Sequence, residues 1–481
     1  MRREFFRIKK IARRYDRRTG KFIINISYKC KTDITSRTLA VSEAFGLGTD
    51  EFQNHVIYDN VELKIGPTDI VYITGDSGSG KSVLLKALEK DLESQAINIA
   101  NTTVNPDKPL IDTVGETFEK GLELLSRVGL NDAFLFVRRY SQLSDGQKYR
   151  YRIAKMIEAG KQYWVADEFC ATLDRDTAKI VAFNVQKLAR QEGKAVLVAT
   201  THTDLFEDLQ PSVHVHKGFG REVEVKYFPN EANKTCSLVG EMRVEEGSRQ
   251  DYKKLAGFHY RNTRIPIPIK IFALKHGDET VGVIVYSFSP IICFGRKKAL
   301  GKTLRVQELN RDFANISRVV LHPKYRTIGL GARLVRETLP LVDRPYVETM
   351  AVMARYNPFF EKAGMTKVAE RLPDKSIVEA VEKLRELGFN PVFLASEKGN
   401  LHLLKQMSKE QRRRVKQTLL GISSVFYRRL AGGKRVFLRR EEFRKILENA
   451  TVEKMAKMLR ILSILMQTKV YLIWKKSAFN S

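Results

Sequence analysis

An eight-residue segment, Gly75 to Ser82, restricts the possible folds of this chain more than any other feature of its sequence. It reads GDSGSGKS, preceded by the apolar run Asp69 to Thr74 and followed by helical spacing from Ser82 to Glu93. In such a loop the backbone N–H groups point at phosphate oxygens, Lys81 reaches the β and γ phosphates, and the Ser82 hydroxyl binds Mg²⁺. The pattern predicts a strand, a phosphate-binding loop and a helix, with ligand contacts from Gly75, Ser77, Gly78, Ser79, Gly80, Lys81 and Ser82.

Three further segments follow in a fixed order. Leu143 to Gln147 reads LSDGQ, the apolar run Tyr163 to Ala166 ends in Asp167 and Glu168, and His202 follows the next apolar run. Two carboxylates at the end of a strand are suited to holding Mg²⁺ and to polarising an attacking water. The segments therefore predict a nucleotide-hydrolysing site.

This order of motifs resembles that of the ATP-binding-cassette (ABC) family, whose hallmark is an LSGGQ-like segment. In this chain Asp145 replaces the first glycine of that hallmark, and the resemblance implies nucleotide contacts from Ser144, Gly146 and Gln147. Leu173 and Asp174 fall where the family has a dimer-contacting loop. The segment that we call the signature, Leu143 to Gln147, would therefore take part in binding ATP.

The resemblance also implies roles for individual side chains. Asp167 would hold Mg²⁺ together with Ser82, Glu168 would polarise the attacking water, and His202 would contact the γ-phosphate. The aromatic residue that stacks on adenine is not assigned, with Tyr58 the nearest candidate, and the family's lid glutamine is not matched by Gln95.

A dimer follows from the same resemblance. In the family two cassettes pair head to tail, and each ATP lies between the phosphate-binding loop of one copy and the signature of the other. Because this chain has one of each segment, we expect a homodimer with two composite sites.

The chain of 481 residues is long enough for several domains. The pattern predicts an α/β fold with a basic lead-in at 1–50, an ABC ATPase domain at 51–230, a second α/β domain at 231–373 and a basic, mainly helical region at 374–481. Strands that alternate with helices predict a mainly parallel sheet covered on both faces. The lead-in has a strand-like stretch at Lys21 to Tyr28, which could supply an edge strand of the next domain.

The charge balance points to a polyanionic partner. Lys and Arg number 84 against 55 Asp and Glu, a formal net charge of +29, which favours nucleic acid first and an anionic membrane surface second. The four cysteines show no paired spacing, and no continuous apolar stretch is long enough for a signal peptide or a spanning helix. We therefore expect a cytoplasmic protein without a transmembrane segment, which would need a separate channel subunit for any membrane role.

A second site is predicted in the second α/β domain. The strand Ser317 to Leu321 is followed by HPKYRTIGLG and a helix, and this loop resembles the acyl-CoA loop of the GNAT acetyltransferases. The segment Tyr356 to Met365 resembles a later motif of that family. The resemblance implies that exposed amides at the helix N-terminus bind the pyrophosphate of acetyl-CoA or another acyl-CoA, with contacts from Arg326, Thr327, Gly329, Leu330 and Gly331.

Two residues are candidates for the acid and the base of such an acyltransferase. Phe360 stands where many members carry a tyrosine that protonates the leaving thiolate, so Tyr356 is the substitute. His259 follows the first helix of the domain, where the acceptor approaches in that family, but it is also compatible with packing at a helix end. The whole arrangement resembles archaeal and phage fusions of an ABC ATPase with a GNAT domain, the latter reminiscent of Mom-type DNA-modification enzymes.

Three functions remain open on the sequence alone. The first is an ATP-dependent acyltransferase that acts on DNA or RNA. The second is an ABC protein associated with ribosomes or nucleic acid, in which the GNAT-like unit only binds. The third is a protein or small-amine acetyltransferase regulated by ATP.

Overall fold

The strands and helices can be given from the computed structural model, which describes residues 7–16, 18–30, 34–46, 53–259, 265–352, 358–391, 393–432 and 438–476. The strands are β1 Arg7–Asp16, β2 Lys21–Cys30, β3 Gln53–Lys64, β4 Ile70–Gly75, β5 Ala96–Asn98, β6 Tyr163–Ala166, β7 Ala195–Ala199, β8 Val213–Lys217, β9 Val223–Tyr227, β10 Met242–Glu246, β11 Pro268–His276, β12 Glu279–Ser287, β13 Phe313–Leu321, β14 Tyr346–Ala351, β15 Thr366–Arg371 and β16 Lys469–Lys475. The α-helices are α1 Ser36–Phe45, α2 Lys81–Leu92, α3 Phe118–Arg127, α4 Ala133–Phe136, α5 Asp145–Ala159, α6 Arg175–Glu192, α7 Phe206–Leu209, α8 Arg249–Leu255, α9 Arg296–Leu300, α10 Val306–Asp312, α11 Leu330–Thr338, α12 Phe359–Lys362, α13 Lys375–Glu386, α14 Glu397–Gln406, α15 Lys409–Leu420, α16 Tyr427–Ala431, α17 Arg440–Glu448 and α18 Val452–Leu465.

The chain forms two compact units, each made from two stretches of sequence. The first unit comprises Met1–Tyr286 and Ser317–Leu341, and the second comprises Ser287–Ile316 and Val342–Ser481. The first unit therefore extends beyond residue 230, the predicted end of the ABC ATPase domain, because hydrogen bonds join this domain to later segments. Side chains of the cassette bond to later segments: Asp208 accepts hydrogen bonds from the backbone and the hydroxyl of Ser237, and Asn184 donates to Thr327.

A six-stranded sheet with the order β5-β6-β7-β4-β8-β9 forms the centre of the first unit. Strand β4 pairs in parallel with β7 on one side and β8 on the other, and all six of its residues are buried. A strand buried on both faces needs continuous apolar residues, which Ile70 to Ile73 supply. The carboxyl ends of the parallel strands meet at one edge, where the phosphate-binding loop and the carboxylates follow.

The basic lead-in contributes more than an edge strand. Strands β1, β2 and β3 form a separate antiparallel sheet in which Lys21 pairs with Lys64 at one end of the β2–β3 ladder. Alternate residues of β2, among them Phe22 and Ile24, are buried with Ile73 and Leu85 of the central sheet and its first helix. Residues on both sides of the predicted boundary at residue 50 thus share one core.

The rest of the first unit carries β10, β11 and β12. Strand β10 pairs antiparallel with β11, and β12 comes next in the sheet order. The helix α11 lies near β10 because Arg333 donates hydrogen bonds to the carbonyl oxygens of Val239 and Met242. The strand, loop and helix expected from residue 317 to 339 are therefore present.

The second unit is mainly helical beyond residue 373, as the sequence predicts. Helices α13 to α18 enclose one apolar cluster that includes Leu384, Leu404 and Leu459. The chain then forms the strand β16, which pairs antiparallel with β14 and with β15. This strand was not expected within the region 374–481, which is otherwise helical as predicted, and it follows α18 in the last apolar part of the described chain.

The predicted α/β fold is confirmed for the N-terminal part, and the whole chain is a mixture of α and β structure. Among the residues that the structure describes, none of the helices combines the length and the apolar character needed to cross a membrane.

Candidate nucleotide-binding site

The phosphate-binding loop follows β4 in a conformation that requires glycine. Gly75 and Gly80 have φ angles of 141° and 109°, which side chains rarely allow. A Cβ on Gly75 would lie 2.0 Å from the carbonyl oxygen of Lys217, and one on Gly80 would lie 2.6 Å from Cγ2 of Ile57. The two glycines let the backbone turn closely around the space where phosphate would bind.

Lys81 is folded back across this loop. Its side chain is buried, and Nζ donates to the carbonyl oxygens of Gly75 at 2.8 Å and Asp76 at 2.6 Å. Burial lowers the pKa of the ammonium, and the carboxylates of Asp76 and Asp167 offset part of this effect. The cation thus lies inside the loop, where phosphate oxygens could replace the two carbonyls as its partners.

The other predicted residues of the loop also lie at this edge of the sheet. Ser77 and Gly78 are exposed, whereas Ser79 is buried and its backbone N–H donates to the carbonyl oxygen of Asp76. The Ser79 hydroxyl has no hydrogen-bond partner among the residues that the structure describes. A buried polar atom of this kind fits a polar ligand in the loop.

The predicted Mg²⁺ ligands are in contact. The Ser82 hydroxyl, in the first turn of α2, donates to Oδ1 of Asp167 at 2.9 Å. Asp167 directly follows β6, which is separated from β4 by β7, so this bond joins elements across the middle of the sheet. A hydroxyl and a carboxylate oxygen are the donors that Mg²⁺ prefers, and the pair fits that ion.

Glu168 and His202 lie at the same edge. Glu168 is exposed and has a φ of 49°, an unusual value for a residue with a side chain, and its N–H donates to Oδ1 of Asp167 at 3.0 Å. His202 follows β7, and its backbone is held by Thr200 and Tyr72. Burial, together with the nearby Arg175, lowers the pKa of His202, whose Nε2 has no partner within the described residues. The geometry therefore brings the predicted base and the predicted histidine to one edge.

The signature lies at the start of the 15-residue helix α5. Ser144 caps this helix, with its hydroxyl accepting from the N–H of Gln147 at 3.4 Å and its own N–H donating to Oε1 of Gln147 at 3.1 Å. Gly146 packs against α6, since a Cβ there would lie 3.2 Å from Cγ2 of Thr177. A helix N-terminus capped in this way presents backbone N–H groups to an anion.

The predicted dimer-contacting loop is adjacent to the signature. Asp174 caps α6, and Arg175 donates from Nε to Oδ2 of Asp204 at 3.0 Å, which connects this turn to the segment after His202. Ser144, Gly146 and Asp174 line one cleft of about 440 Å³. Two segments expected to contact a second copy therefore share one cavity.

Tyr58 has a role other than the one proposed for it. Its ring is buried and its hydroxyl donates to the carbonyl oxygen of Gly80 at 2.9 Å, so it supports the phosphate-binding loop instead of lying open to adenine. Burial raises the pKa of this hydroxyl above its ordinary range. Gln95 lies exposed in a short 3-10 turn, Glu93–Gln95.

The predicted acyl-CoA loop is docked on the cassette. We call residues 322–329 the docking loop. The side chain of its Arg326 is 11% exposed, donates from Nη1 to Oδ1 of Asn131 at 3.3 Å and lies 3.6 Å from Oδ2 of Asp132. The hydroxyl of Thr327 accepts from Asn184 at 2.6 Å. Both side chains expected to face a cofactor are therefore bonded to the protein.

The other residues of the second predicted site lie at the start of α11, after a 3-10 turn, and in a segment that the structure does not describe. Gly329 caps α11 with a φ of 87° and is exposed, Leu330 is buried and Gly331 is half-buried. His259 is half-buried at the end of a 3-10 turn, and its N–H donates to the carbonyl oxygen of Ala256. Tyr356 lies outside the described residues.

Sequence reasoning missed two charged residues beside the signature. Arg150 of α5 is buried and donates to the carbonyl oxygens of Pro323 and Lys324, and Lys324 pairs with Asp174 and Asp176. Arg150 belongs to no motif, Lys324 has no assigned role in the predicted acyl-CoA loop, and no local pattern marks contacts between positions so far apart in sequence.

Comparisons with known proteins agree with this site. Residues 58–171 match the model of the ABC transporter family. The lipoprotein-releasing system ATP-binding protein LolD of Novosphingobium aromaticivorans is 32% identical over 197 residues, which cover 33% of this chain and 87% of that protein. The cytochrome c biogenesis ATP-binding export protein CcmA of Reclinomonas americana is 28% identical, over 32% of this chain and 81% of that protein.

A solved structure is also similar. It shows the ATP-binding cassette MJ0796 as a dimer in a post-hydrolysis state, bound to ADP and Pi. The MJ0796 sequence is 21% identical to this chain, the match covers 36% of this chain and 91% of the MJ0796 chain, and the TM-score is 0.30. The family follows from the sequence relatives, whose similarity extends over most of their own length. The chain therefore belongs to the ABC transporter ATP-binding family, whose motifs its sequence resembles.

Proposed function

We propose that the chain hydrolyses ATP at composite sites formed by two copies. The observation that carries the proposal is the bond between Ser82 and Asp167, which joins the phosphate-binding loop to the carboxylate pair across the sheet. Together with Lys81 and Glu168 it provides binding, a metal site and a base at one edge.

Each side chain has a distinct task in this reaction. Lys81 would exchange its two carbonyl partners for oxygens of the β and γ phosphates. Ser82 and Asp167 would hold Mg²⁺, which neutralises charge on the phosphates when it is bound. Glu168 would accept the proton of the attacking water, and His202 would donate a hydrogen bond to the γ-phosphate from its unpartnered Nε2.

The arrangement of the signature supports a dimer. The N-terminus of α5 points backbone N–H groups into a cleft, but the lysine and the carboxylates that would bind the triphosphate belong to the other segments. A second copy, paired head to tail, would bring its own phosphate-binding loop to this cleft. One chain thus supplies two different half-sites.

Replacing Glu168 by glutamine tests the proposal. Glu168→Gln keeps the size and the hydrogen-bonding capacity of the side chain but removes the base, so kcat should fall about 100-fold or more while ATP still binds. The measurement is steady-state phosphate release, with dimer formation in ATP followed by sedimentation. Glu207→Gln, a change of an exposed carboxylate on α7, is the control. Normal turnover by Glu168→Gln would contradict the assignment of the base.

Acyl transfer is a second candidate function. It is supported by the strand, loop and helix around Gly329, where a Cβ would meet no atom within 4 Å, so the N-terminus of α11 is uncrowded at that point. Because Arg326 is bonded to Asn131 and paired with Asp132, a cofactor at this site would be held by backbone groups of the loop. Calorimetric titration with acetyl-CoA tests it, and absence of binding at millimolar concentration would reject it.

A polyanion is the partner that we propose for the helical region. Residues 374–481 contain 24 Lys and Arg against 10 Asp and Glu. Nucleic acid binding driven by this excess would weaken steeply as salt rises. Fluorescence anisotropy with labelled DNA and RNA at several salt concentrations measures it.

A further inference from the structure

The docking loop contacts both cassette segments that would face the second copy. We propose that Lys324 is a positioning residue of the composite ATP site, which fixes the turn at Asp174 while Arg150 ties the same loop to the signature helix. The inference rests on the proposed ATPase function and extends it to residues outside the family match at 58–171.

Lys324 binds two carboxylates at the start of α6. Its Nζ lies 2.7 Å from Oδ1 of Asp174 and 2.9 Å from Oδ2 of Asp176. Burial opposes the charged form, but the hydrogen bonds to both carboxylates raise the pKa of Lys324 overall. Tyr325 also donates to Oδ2 of Asp176, at 3.0 Å. An ammonium shared by two carboxylates restrains the turn more than a single surface pair would.

Arg150 makes the connection to the signature. It lies about one turn after Gln147 on α5 and is 5% exposed. Its guanidinium donates to the carbonyl oxygens of Pro323 at 3.4 Å and Lys324 at 2.9 Å. Burial, followed by the nearby Arg326, lowers its pKa to about 10. A buried guanidinium needs acceptors, so the docking loop and α5 must keep their positions together.

Two more residues of the docking loop, Thr327 and Arg326, fix the loop itself. Thr327 has a φ of 79°, and its hydroxyl and carbonyl accept from Asn184 and Lys187 of α6. Arg326 is held by Asn131 and Asp132 before the signature. The loop is therefore anchored after Lys324 by Arg326 and Thr327, in addition to the bond from Arg150 to Pro323 before it, which makes the position of the ammonium well defined.

The cleft shows why this position matters for the reaction. Ser144, Gly146, Asp174 and Lys324 line the same cavity of about 440 Å³. A shift of the Asp174 turn relative to the signature would therefore change the half-site that receives the triphosphate of the second copy. Misplacement of reacting groups by about 1 Å can cost on the order of 100-fold in rate.

The test compares four full-length proteins: wild type, Lys324→Met, Lys324→Arg and Lys120→Met. Lys120 is the matched control, because it forms an exposed pair with Glu123 at 3.1 Å in the same unit. Steady-state ATP hydrolysis gives kcat and KM, and a fluorescent ATP analogue measures binding to the single copy at low protein concentration. Thermal unfolding monitors the fold.

Lys324→Met should lower kcat about 10- to 100-fold and leave affinity for the analogue within about twofold, since the phosphate-binding loop is untouched. Lys324→Arg should restore most of the rate. If Lys324→Met unfolds, Asp176→Asn, which leaves Asp174 as a partner of Lys324, should lower kcat in the same direction by less.

Three results would overturn the inference. The first is a kcat of Lys324→Met equal to that of Lys120→Met in a wild-type background that hydrolyses ATP. The second is a parallel loss of analogue binding and of melting temperature, which would indicate a general structural role. The third is wild-type turnover no higher than that of Lys81→Ala, in which case the proposed ATPase function fails as well.

Discussion

Two glycine-containing loops of the first unit, Gly75 to Ser82 and the docking loop, each lead from a strand to the N-terminus of a helix. In the first, the cation Lys81 is held by carbonyl oxygens of its own loop. In the second, the cation Arg326 is held by Asn131 and Asp132. Neutral carbonyls can be exchanged for phosphate, whereas separating a cation from a largely covered carboxylate costs free energy. The kind of group that holds the cation therefore distinguishes a loop that can bind phosphate from the docking loop, which is bonded to the rest of the protein.

The largest difference in ATP affinity is expected when the cation of each loop is removed. Lys81→Ala removes the donor to the β and γ phosphates and should weaken ATP binding at least about 100-fold. Arg326→Ala should leave ATP affinity unchanged within about twofold and lower the melting temperature, because it leaves Asp132 without its cation. Equilibrium titration with a fluorescent ATP analogue and thermal unfolding measure both. If Arg326→Ala weakened ATP binding and Lys81→Ala did not, the distinction between the two loops would be wrong.

The second largest difference is expected between substitutions of the glycines in the two loops. Gly75→Ala places a Cβ 2.0 Å from the carbonyl oxygen of Lys217, so the loop must move and ATP binding should fall at least about tenfold. Gly329→Ala meets no atom within 4 Å and should cost only the strain of a positive φ, about 1 to 2 kcal/mol of the free energy of unfolding. Urea unfolding and ATP titration are the measurements. Equal effects of both changes on ATP binding would contradict the distinction.

The smallest effect should be a pH dependence of the docked loop. Burial alone would raise the pKa of Asp176, but its hydrogen bonds from Lys324 and Tyr325 outweigh burial and lower it, with His276 also nearby. Such a carboxylate stabilises the fold above its unfolded pKa of about 4, and this contribution is lost as the pH falls through the lower folded pKa. The difference in urea midpoint between wild type and Asp176→Asn should therefore be full at pH 7 and smaller near pH 3. A difference that grows on acidification would oppose the assignment.

The local features of the site could be predicted from the sequence. The glycines of the phosphate-binding loop, the carboxylates after β6 and the histidine after β7 each follow a short apolar strand, so neighbouring residues determine where they lie. The signature follows from its resemblance to the LSGGQ-like segment of the ABC family, and the structure adds that Ser144 and Gln147 form a capping box.

The long-range contacts could not be predicted. Arg150 and the carbonyl that it binds are 173 residues apart, and nothing near either position indicates the other. The loop at Arg326 has the local pattern of a cofactor site, and only its tertiary contacts show that the side chain is occupied. Strand β16 was missed for a related reason, since an apolar run indicates burial but not whether a helix or a strand is buried.

The separation between Arg150 and its acceptors has a consequence for biosynthesis. At typical translation rates the ribosome needs about 10 to 35 s to add the 173 residues between them. In the later part of this interval, once the strands up to β8 have been added, the nascent cassette has its phosphate-binding loop and carboxylates but lacks the segment that holds Asp174. A newly made chain would therefore bind ATP before it can hydrolyse it efficiently, and synthesis itself would set the order in which the two abilities appear.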